Sequence, residues 1–358
     1  MSFQEEKRES IKRYMLAKIE EDDVAFVQKT AENFQISQTT VKRYIRDCMQ
    51  AEVLVPSTEQ FCGYALTEIV YEQEYHTADG LLEDRIYFQD IQPYLETLSE
   101  NSRRIWGYVF TEILNNAIEH AQAGHIFIRL RKTVLDTEIT ITDDGIGLFR
   151  NIQMYMRDVC GKQASYEDVI AELYKGRMTT DPEEHTGEGI FFSSKIMEQF
   201  MIRSDGAMFR TGYREADRLP ESHLLACHAR MQRLGTMVYM RLENSCDRSL
   251  QEVFDMFAPE DEGFVKTILP IREVCPYGEP IARSQARRLL YRLENFREVV
   301  FDFTGVDFMG QGFADEIFRI FQRKHPDIVL RAVGANDSVQ RMIQHVCKTG
   351  AGKKKQLT

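Results

Sequence analysis

The 358-residue chain has no long apolar run, no paired-cysteine motif and no excess of basic residues, and each absence removes a class of protein. No stretch is apolar enough to cross a bilayer. The opening residues, Met1 to Arg8, lack the hydrophobic core of a secretory signal. The seven cysteines (Cys48, Cys62, Cys160, Cys227, Cys246, Cys275 and Cys347) are scattered without a C-x-x-C pair, and an odd number disfavours a disulfide framework. Reduced, mostly buried thiols in a cytoplasmic protein are the expectation. The 45 Lys and Arg set against 56 Asp and Glu leave a formal charge of -11, which argues against indiscriminate nucleic-acid binding by the whole molecule but not by one local face. Apolar residues make up 43% of the chain, enough for packed cores and too much for a disordered polymer. The length allows two or three domains.

The most informative stretch lies around Asn115 and Asn116. Ile105, Val109, Ile113, Leu114 and Ala117 recur at three- and four-residue spacing, which predicts a helix with one apolar stripe. Glu112, Asn116 and His120 stack beside that stripe along one edge. Taken alone, such an edge is most simply solvated surface. After a turn at Ala123-Gly124, His125 to Leu130 and Thr137 to Thr142 read as strands. The second strand runs into Asp143-Asp144-Gly145-Ile146-Gly147. Farther on, His185-Thr186-Gly187-Glu188-Gly189 precedes the helix-like Ile190 to Met197, and Gly235-Thr236 precedes the strand-like Met237 to Leu242.

The order Glu-x-x-x-Asn-Ala on a helix, Asp-x-Gly-x-Gly after a strand and Gly-x-Gly opening a helix resembles the nucleotide-binding fold of the GHKL ATPases. That group includes DNA gyrase B, heat-shock chaperone ATPases, mismatch-repair ATPases, sensor histidine kinases and anti-sigma-factor kinases. The resemblance implies an α/β sandwich with a mixed sheet over residues 105–245, binding ATP and Mg²⁺. Asn116 would offer a neutral amide oxygen to Mg²⁺, a hard cation that keeps water and phosphate among its ligands. Asp143 would accept a hydrogen bond from the adenine amino group, with Gly145 and Gly147 allowing close approach of base and sugar. Gly187 and Gly189 would present main-chain N–H groups to the polyphosphate at a helix start. His120 and Thr236 complete the nucleotide contacts, and Glu112 is placed to act as general base on an attacking water. The long connection between Gly147 and Gly187 would be the family's ATP lid, and within it Arg177 to Glu184 has no apolar period. Ser165 to Asp168 reads as a capping box opening a short helix. His223, Cys227 and His228 lack a fourth metal ligand, so packing is their expected role.

Residues 1–60 follow another pattern. Ile11 to Ile19 is amphipathic, Val24 to Phe34 forms a second helix, and Ser37 is placed to cap a third. On that third helix Val41, Ile45, Cys48 and Met49 share one face, while Thr39, Lys42, Arg43 and Arg46 share another. With the strand-like residues that follow, the segment resembles a winged helix-turn-helix, whose third helix would touch double-stranded DNA. Such modules also dock proteins or dimerise, and the segment is nearly charge-balanced. Residues 61–104 read as a connector leading into the ATPase domain. His76 lies there in a polar loop without the helical hairpin of a phosphoacceptor box.

From Gly263 strands and helices alternate, which predicts a small α/β layer domain over 263–347, followed by a basic, disordered tail at 348–358. Arg283 to Leu290 and Val300 to Ile317 resemble the bacterial STAS-like domains, relatives of anti-sigma-factor antagonists. Those antagonists accept phosphate on a hydroxyl where Phe308-Met309-Gly310-Gln311-Gly312-Phe313 stands here, and this stretch holds no serine or threonine. It is expected instead to dock onto the nucleotide domain, as part of a regulatory partner. The whole is multidomain α+β. The implied function is a cytoplasmic bacterial switch, in which Mg-ATP binding and slow hydrolysis control DNA or protein binding, as in a transcription regulator. A serine/threonine protein kinase of the anti-sigma type acting on a STAS partner and a non-hydrolysing nucleotide sensor are the alternatives. A homodimer and a protein partner for the STAS-like domain are both compatible with this reading.

Overall fold

Ser37 does at the start of the third helix what its position predicts: its hydroxyl accepts the Thr40 amide at 3.1 Å. The computed structural model describes residues 3–176, 178, 187–212, 226, 234–259, 263–275 and 279–351. Its first module comprises helices α1 (Phe3–Glu20), α2 (Phe26–Phe34) and α3 (Gln38–Gln50). An antiparallel hairpin of β1 (Leu54–Pro56) and β2 (Tyr64–Leu66) follows. Val41, Tyr44, Ile45 and Cys48 of α3 turn inward to meet Ile11, Met15, Leu16 and Ile19 of α1, and this core is separate from that of the rest of the chain.

The residues expected as a connector divide between two structures. β2 completes the hairpin, whereas β3 (Ile69–His76) becomes the edge of the central sheet. Two helical turns, α4 (Glu83–Ile86) and α5 (Gln92–Leu95), flank a π-turn at Tyr87–Ile91. They bury Ile86, Tyr87, Ile91 and Leu95 in the same core as the central helix α6 (Glu100–Glu119).

The sheet also contains β4 (His125–Lys132), β5 (Asp136–Asp143), β6 (Gln199–Ser204), β7 (Ala207–Thr211) and β8 (Thr236–Glu243), in the order β3-β4-β5-β8-β6-β7. Among the described residues all its pairings are antiparallel, where the resemblance implied a mixed sheet. The reason is that β8 returns between β5 and β6 running opposite to both. Alternation along the strands sends Ile126, Ile128, Leu130, Ile139, Ile141 and Met240 to one face. Phe127, Met201, Met237 and Tyr239 go to the other. Helices α6, α7 (Leu148–Asp158), α8 (Tyr166–Lys175), α9 (Gly189–Ile196) and α10 (Leu250–Phe257) contribute to the core on the first face.

The C-terminal layer has the predicted alternation. β9 (Lys266–Pro270), β10 (Glu298–Asp302) and β11 (Val329–Val333) form a parallel sheet in the order β11-β10-β9. Its helices are α11 (Arg283–Leu290), α12 (Gln311–Asp315), which continues through a π-turn at Glu316–Phe321, and α13 (Asp337–Ala351). α13 extends into the residues assigned to the tail, and the remainder of that tail lies outside the described residues. Phe301, Phe313 and Ile317 belong to the same continuous core as the central domain.

Candidate functional site

α6 buries Ile105, Val109, Ile113, Leu114 and Ala117, which fixes the rotation of the helix. That rotation leaves Glu112, Asn116 and His120 half-buried along one edge. Asn116 and His120 line a cavity between α6, α7, α9 and the sheet. Asn115 points elsewhere, with its amide on Glu119 at 3.1 Å. Of the two asparagines, Asn116 is therefore the one at the cavity.

Asp143, Gly147 and Thr236 line the same cavity, joined by Leu148, Asn151, Ile190 and the apolar Ile141 and Val238. Asp143 is 4% exposed. Its Oδ1 accepts the main-chain amides of Gly145 at 2.9 Å and Thr236 at 3.1 Å. Burial nevertheless dominates and pushes the acid up to about 6, against those two hydrogen bonds. The Thr236 hydroxyl in turn accepts the Leu148 amide at 3.0 Å, tying β8 to the first turn of α7. Gly235 must be glycine, because a Cβ there would lie 2.4 Å from the Asp143 carboxylate.

The two glycines of the Asp-x-Gly-x-Gly turn have different tasks. Gly147 has φ +91°, and a Cβ on it would meet the Asp205 carboxylate at 2.4 Å. Asp205 needs that space, since it accepts the Arg150 amide at 3.1 Å in the first turn of α7. A Cβ on Gly145 would strike the Ala121 carbonyl oxygen at 2.1 Å, so this glycine lets the turn pack on the end of α6. Its task is therefore to seat the turn behind the cavity wall. Asp144 holds the β4 start rather than the cavity, accepting the amides of Gly124 and His125 and pairing with the His125 ring at 2.9 Å.

At the other end of the site, a Cβ on Gly189 would lie 2.0 Å from Glu112 Oε2. The Glu112 carboxylate thus sits against the start of α9, preceded by Gly187 at φ +72°. Tyr108, one turn before Glu112, is pushed well above the ordinary phenol range by burial, with Glu112 and Glu188 adding to the effect. Asn116 would offer a neutral amide oxygen at the cavity to a hard cation that shares water and phosphate oxygens among its ligands. Such a donor set fits Mg²⁺.

Sequence reasoning missed Asn151, whose amide donates to the His120 carbonyl at 3.2 Å while lining the cavity. Its place on a helix face behind the glycine turn was the only available signal. The segment Arg177 to Glu184 lies outside the described residues apart from Met178, and so do His223, Cys227 and His228. On α3, Thr39, Lys42, Arg43 and Arg46 are all exposed, on the side opposite the buried Val41 and Ile45. In Phe308 to Phe313, the stretch expected to dock on the nucleotide domain or its lid, Phe308 and Gln311 are exposed while Met309, Gly310 and Phe313 are buried. The Gly310 amide donates to the Pro280 carbonyl at 2.9 Å, and a Cβ on Gly310 would meet the Ile281 carbonyl at 2.5 Å. The β9 edge and the end of α11 contact α8 of the nucleotide domain.

Residues 285–340 match the model of the STAS-like domain of unknown function (DUF4325). No curated protein matches the chain. Among the described residues no helix is long and apolar enough to cross a membrane. Residues 101–242 match the model of the histidine kinase-, DNA gyrase B-, and HSP90-like ATPases, and the chain therefore carries a GHKL-type ATPase domain joined to a STAS-like domain.

Proposed function

We propose that the protein is a regulatory switch that binds Mg-ATP in the cavity beneath α6 and hydrolyses it slowly. The observation that carries this reading is the convergence of Asn116, His120, Asp143, Gly147 and Thr236 on one cavity, with Glu112 against the start of α9. Asp143 has one oxygen committed to main-chain amides, which orients the carboxylate to accept an exocyclic amine. The N-terminal turn of α9, with Gly187 and Gly189, supplies main-chain donors and a favourable dipole for the polyphosphate. Asn116 would hold the Mg²⁺, which neutralises phosphate charge when bound. Glu112, one turn earlier on the same helix edge, orients and deprotonates the attacking water.

The three helices and hairpin of the first module support a winged helix-turn-helix reading, in which Thr39, Lys42, Arg43 and Arg46 contact DNA phosphates and base edges. Transcription regulation in the cytoplasm is the role that joins the two sites. Incubation with γ-labelled ATP and Mg²⁺ tests the chemistry. Free labelled phosphate is expected, and Glu112→Ala should abolish it while ATP still binds. Label on the protein itself would replace hydrolysis with the kinase reading, and binding without either product would leave a nucleotide sensor.

A further inference from the structure

Helix α9, which lines the cavity, and α8, which packs behind it against α7 and α9, are fastened to the STAS-like domain by contacts that no motif announces. Lys175, the last residue of α8, is 1% exposed. Its Nζ pairs with Glu172 at 2.6 Å and donates to the main-chain oxygens of Tyr291 at 2.7 Å and Arg288 at 3.4 Å. Those are carbonyls at the C-terminal end of α11, where a cation is favoured by both hydrogen bonding and the helix dipole. A lysine of one domain therefore caps a helix of the other. On one side of it, the Tyr174 carbonyl accepts the Thr267 hydroxyl of β9 at 3.5 Å. On the other, Gly176 has φ +80°, and a Cβ there would lie 2.6 Å from the ring of Phe264.

Phe264 carries the contact onward to α9. Its ring lies 4.7 Å from Phe191 and 5.5 Å from Phe192, while its other neighbour is Phe296 of the STAS-like layer at 5.5 Å. Phe192 then meets Phe254 at 4.3 Å, and Phe254 meets Tyr108 of α6 at 5.6 Å, one turn before Glu112. The same α9 presents Ile190 to the cavity and Gly189 to Glu112. The contacts are continuous from the end of α11 to the site. A buried Lys–Glu pair is a poor adhesive compared with apolar packing, because both charges lose their water, but it fixes register.

We infer that Lys175 is a positioning residue: it locks α8 to the end of α11, so that a nucleotide held against α9 is sensed in the STAS-like domain. This rests on the nucleotide reading of the cavity. By linkage, a partner that binds the STAS-like domain near residues 283–292 and perturbs α11 changes ATP affinity by the factor with which ATP changes that partner's affinity.

Hydrogen exchange on the full chain, with and without a non-hydrolysable ATP analogue and Mg²⁺, tests the inference. In the wild type, amides of residues 283–292 should slow on analogue binding. Lys175→Met leaves Glu172 buried and unpaired and can disrupt the junction, so the informative variant is Glu172→Gln with Lys175→Met, which buries no charge. That variant should bind the analogue about fivefold more weakly, at the low end of coupling between sites. At saturating analogue its α11 should no longer respond. A response at α11 equal to that of the wild type in this variant overturns the role of Lys175. A wild type that binds the analogue by calorimetry without any change at α11 overturns the coupling itself. Absence of a binding heat in the wild type would instead overturn the nucleotide reading.

Discussion

Replacing Asp143 with asparagine should make the protein more stable and worse at binding ATP. The carboxylate is 4% exposed, and its burial lifts it from the ordinary 3.8 to about 6. A lift of that size corresponds to about 3 kcal/mol against the charged form at neutral pH, an upper figure. The sign follows from proton counts. Between pH 3.8 and about 6 the folded protein holds a proton that the unfolded chain has released, so stability falls as pH rises through that window and stays reduced above it. Asparagine keeps an acceptor oxygen for the Gly145 and Thr236 amides without the charge. At pH 7.5 the Asp143→Asn melting temperature should therefore rise, by as much as about 12 °C for a domain of this size. The gain should shrink as pH is lowered towards 4. ATP affinity should drop by about tenfold or more, since a charge-assisted hydrogen bond is lost and an amide donor can face the adenine amine. Scanning calorimetry across pH and titration calorimetry with ATP measure the two effects. A melting temperature that does not rise at pH 7.5, or an undiminished affinity, would refute the assignment of Asp143 as a buried, charged adenine acceptor.

Gly189→Ala should displace the Glu112 carboxylate, which lies 2.0 Å from the new Cβ position. Phosphate release should fall by about tenfold or more, and steady-state turnover equal to wild type would remove Glu112 from the chemistry. Docking of the first module should respond to pH through Glu20, whose carboxylate faces Arg131 at 3.6 Å, Arg241 at 3.8 Å, and Asp136 and Glu138 of β5. Burial, with Asp136 next, pushes Glu20 from 4.5 up to about 7, so the docked module holds a proton there and docking weakens as pH rises through that range. The first calorimetric transition should therefore drop as pH rises from 4.5 to about 7, and Glu20→Gln should flatten it; an identical slope in the variant would exclude Glu20. Alanine at both Arg43 and Arg46 should abolish salt-sensitive binding to duplex DNA fragments, and a wild type without such binding would favour the protein-docking reading of that module.

Local order was legible in the sequence wherever periodicity and capping chemistry act within a few residues. The stripe from Ile105 to Ala117, the Ser37 cap and the Ser165 capping box needed no distant information, and Asn116 and Asp143 came with their motifs. What the sequence concealed depends on distant partners. Lys175 and Glu172 have the composition of a solvated helix face, yet both are buried because α11 ends against them. Gly145 was expected to admit the nucleotide, whereas the backbone of Ala121 occupies the space that its missing Cβ leaves. The antiparallel sheet was hidden because strand order depends on where β8 inserts, and nothing in Thr236 to Glu243 records its neighbours. The same holds for Gly310 and Gly312, whose small size serves the packing of Ile281 and Arg283 within their own layer.

The place of β8 bears on how the protein is made. It is the last strand of its sheet to be synthesised, yet it lies between β5 and β6 and pairs with both. Until residue 243 has left the ribosome, the strands before it form two separate pieces, β3-β4-β5 and β6-β7, each with an open edge. The first module, with its own core, can already be folded by then. Thr236 and Gly235 complete the surroundings of Asp143, so a nascent chain that ends before β8 lacks one wall of the cavity. Nucleotide can therefore stabilise the domain only after the central strand is in place, and the two open edges are the stretch of synthesis most exposed to mispairing and to chaperone capture.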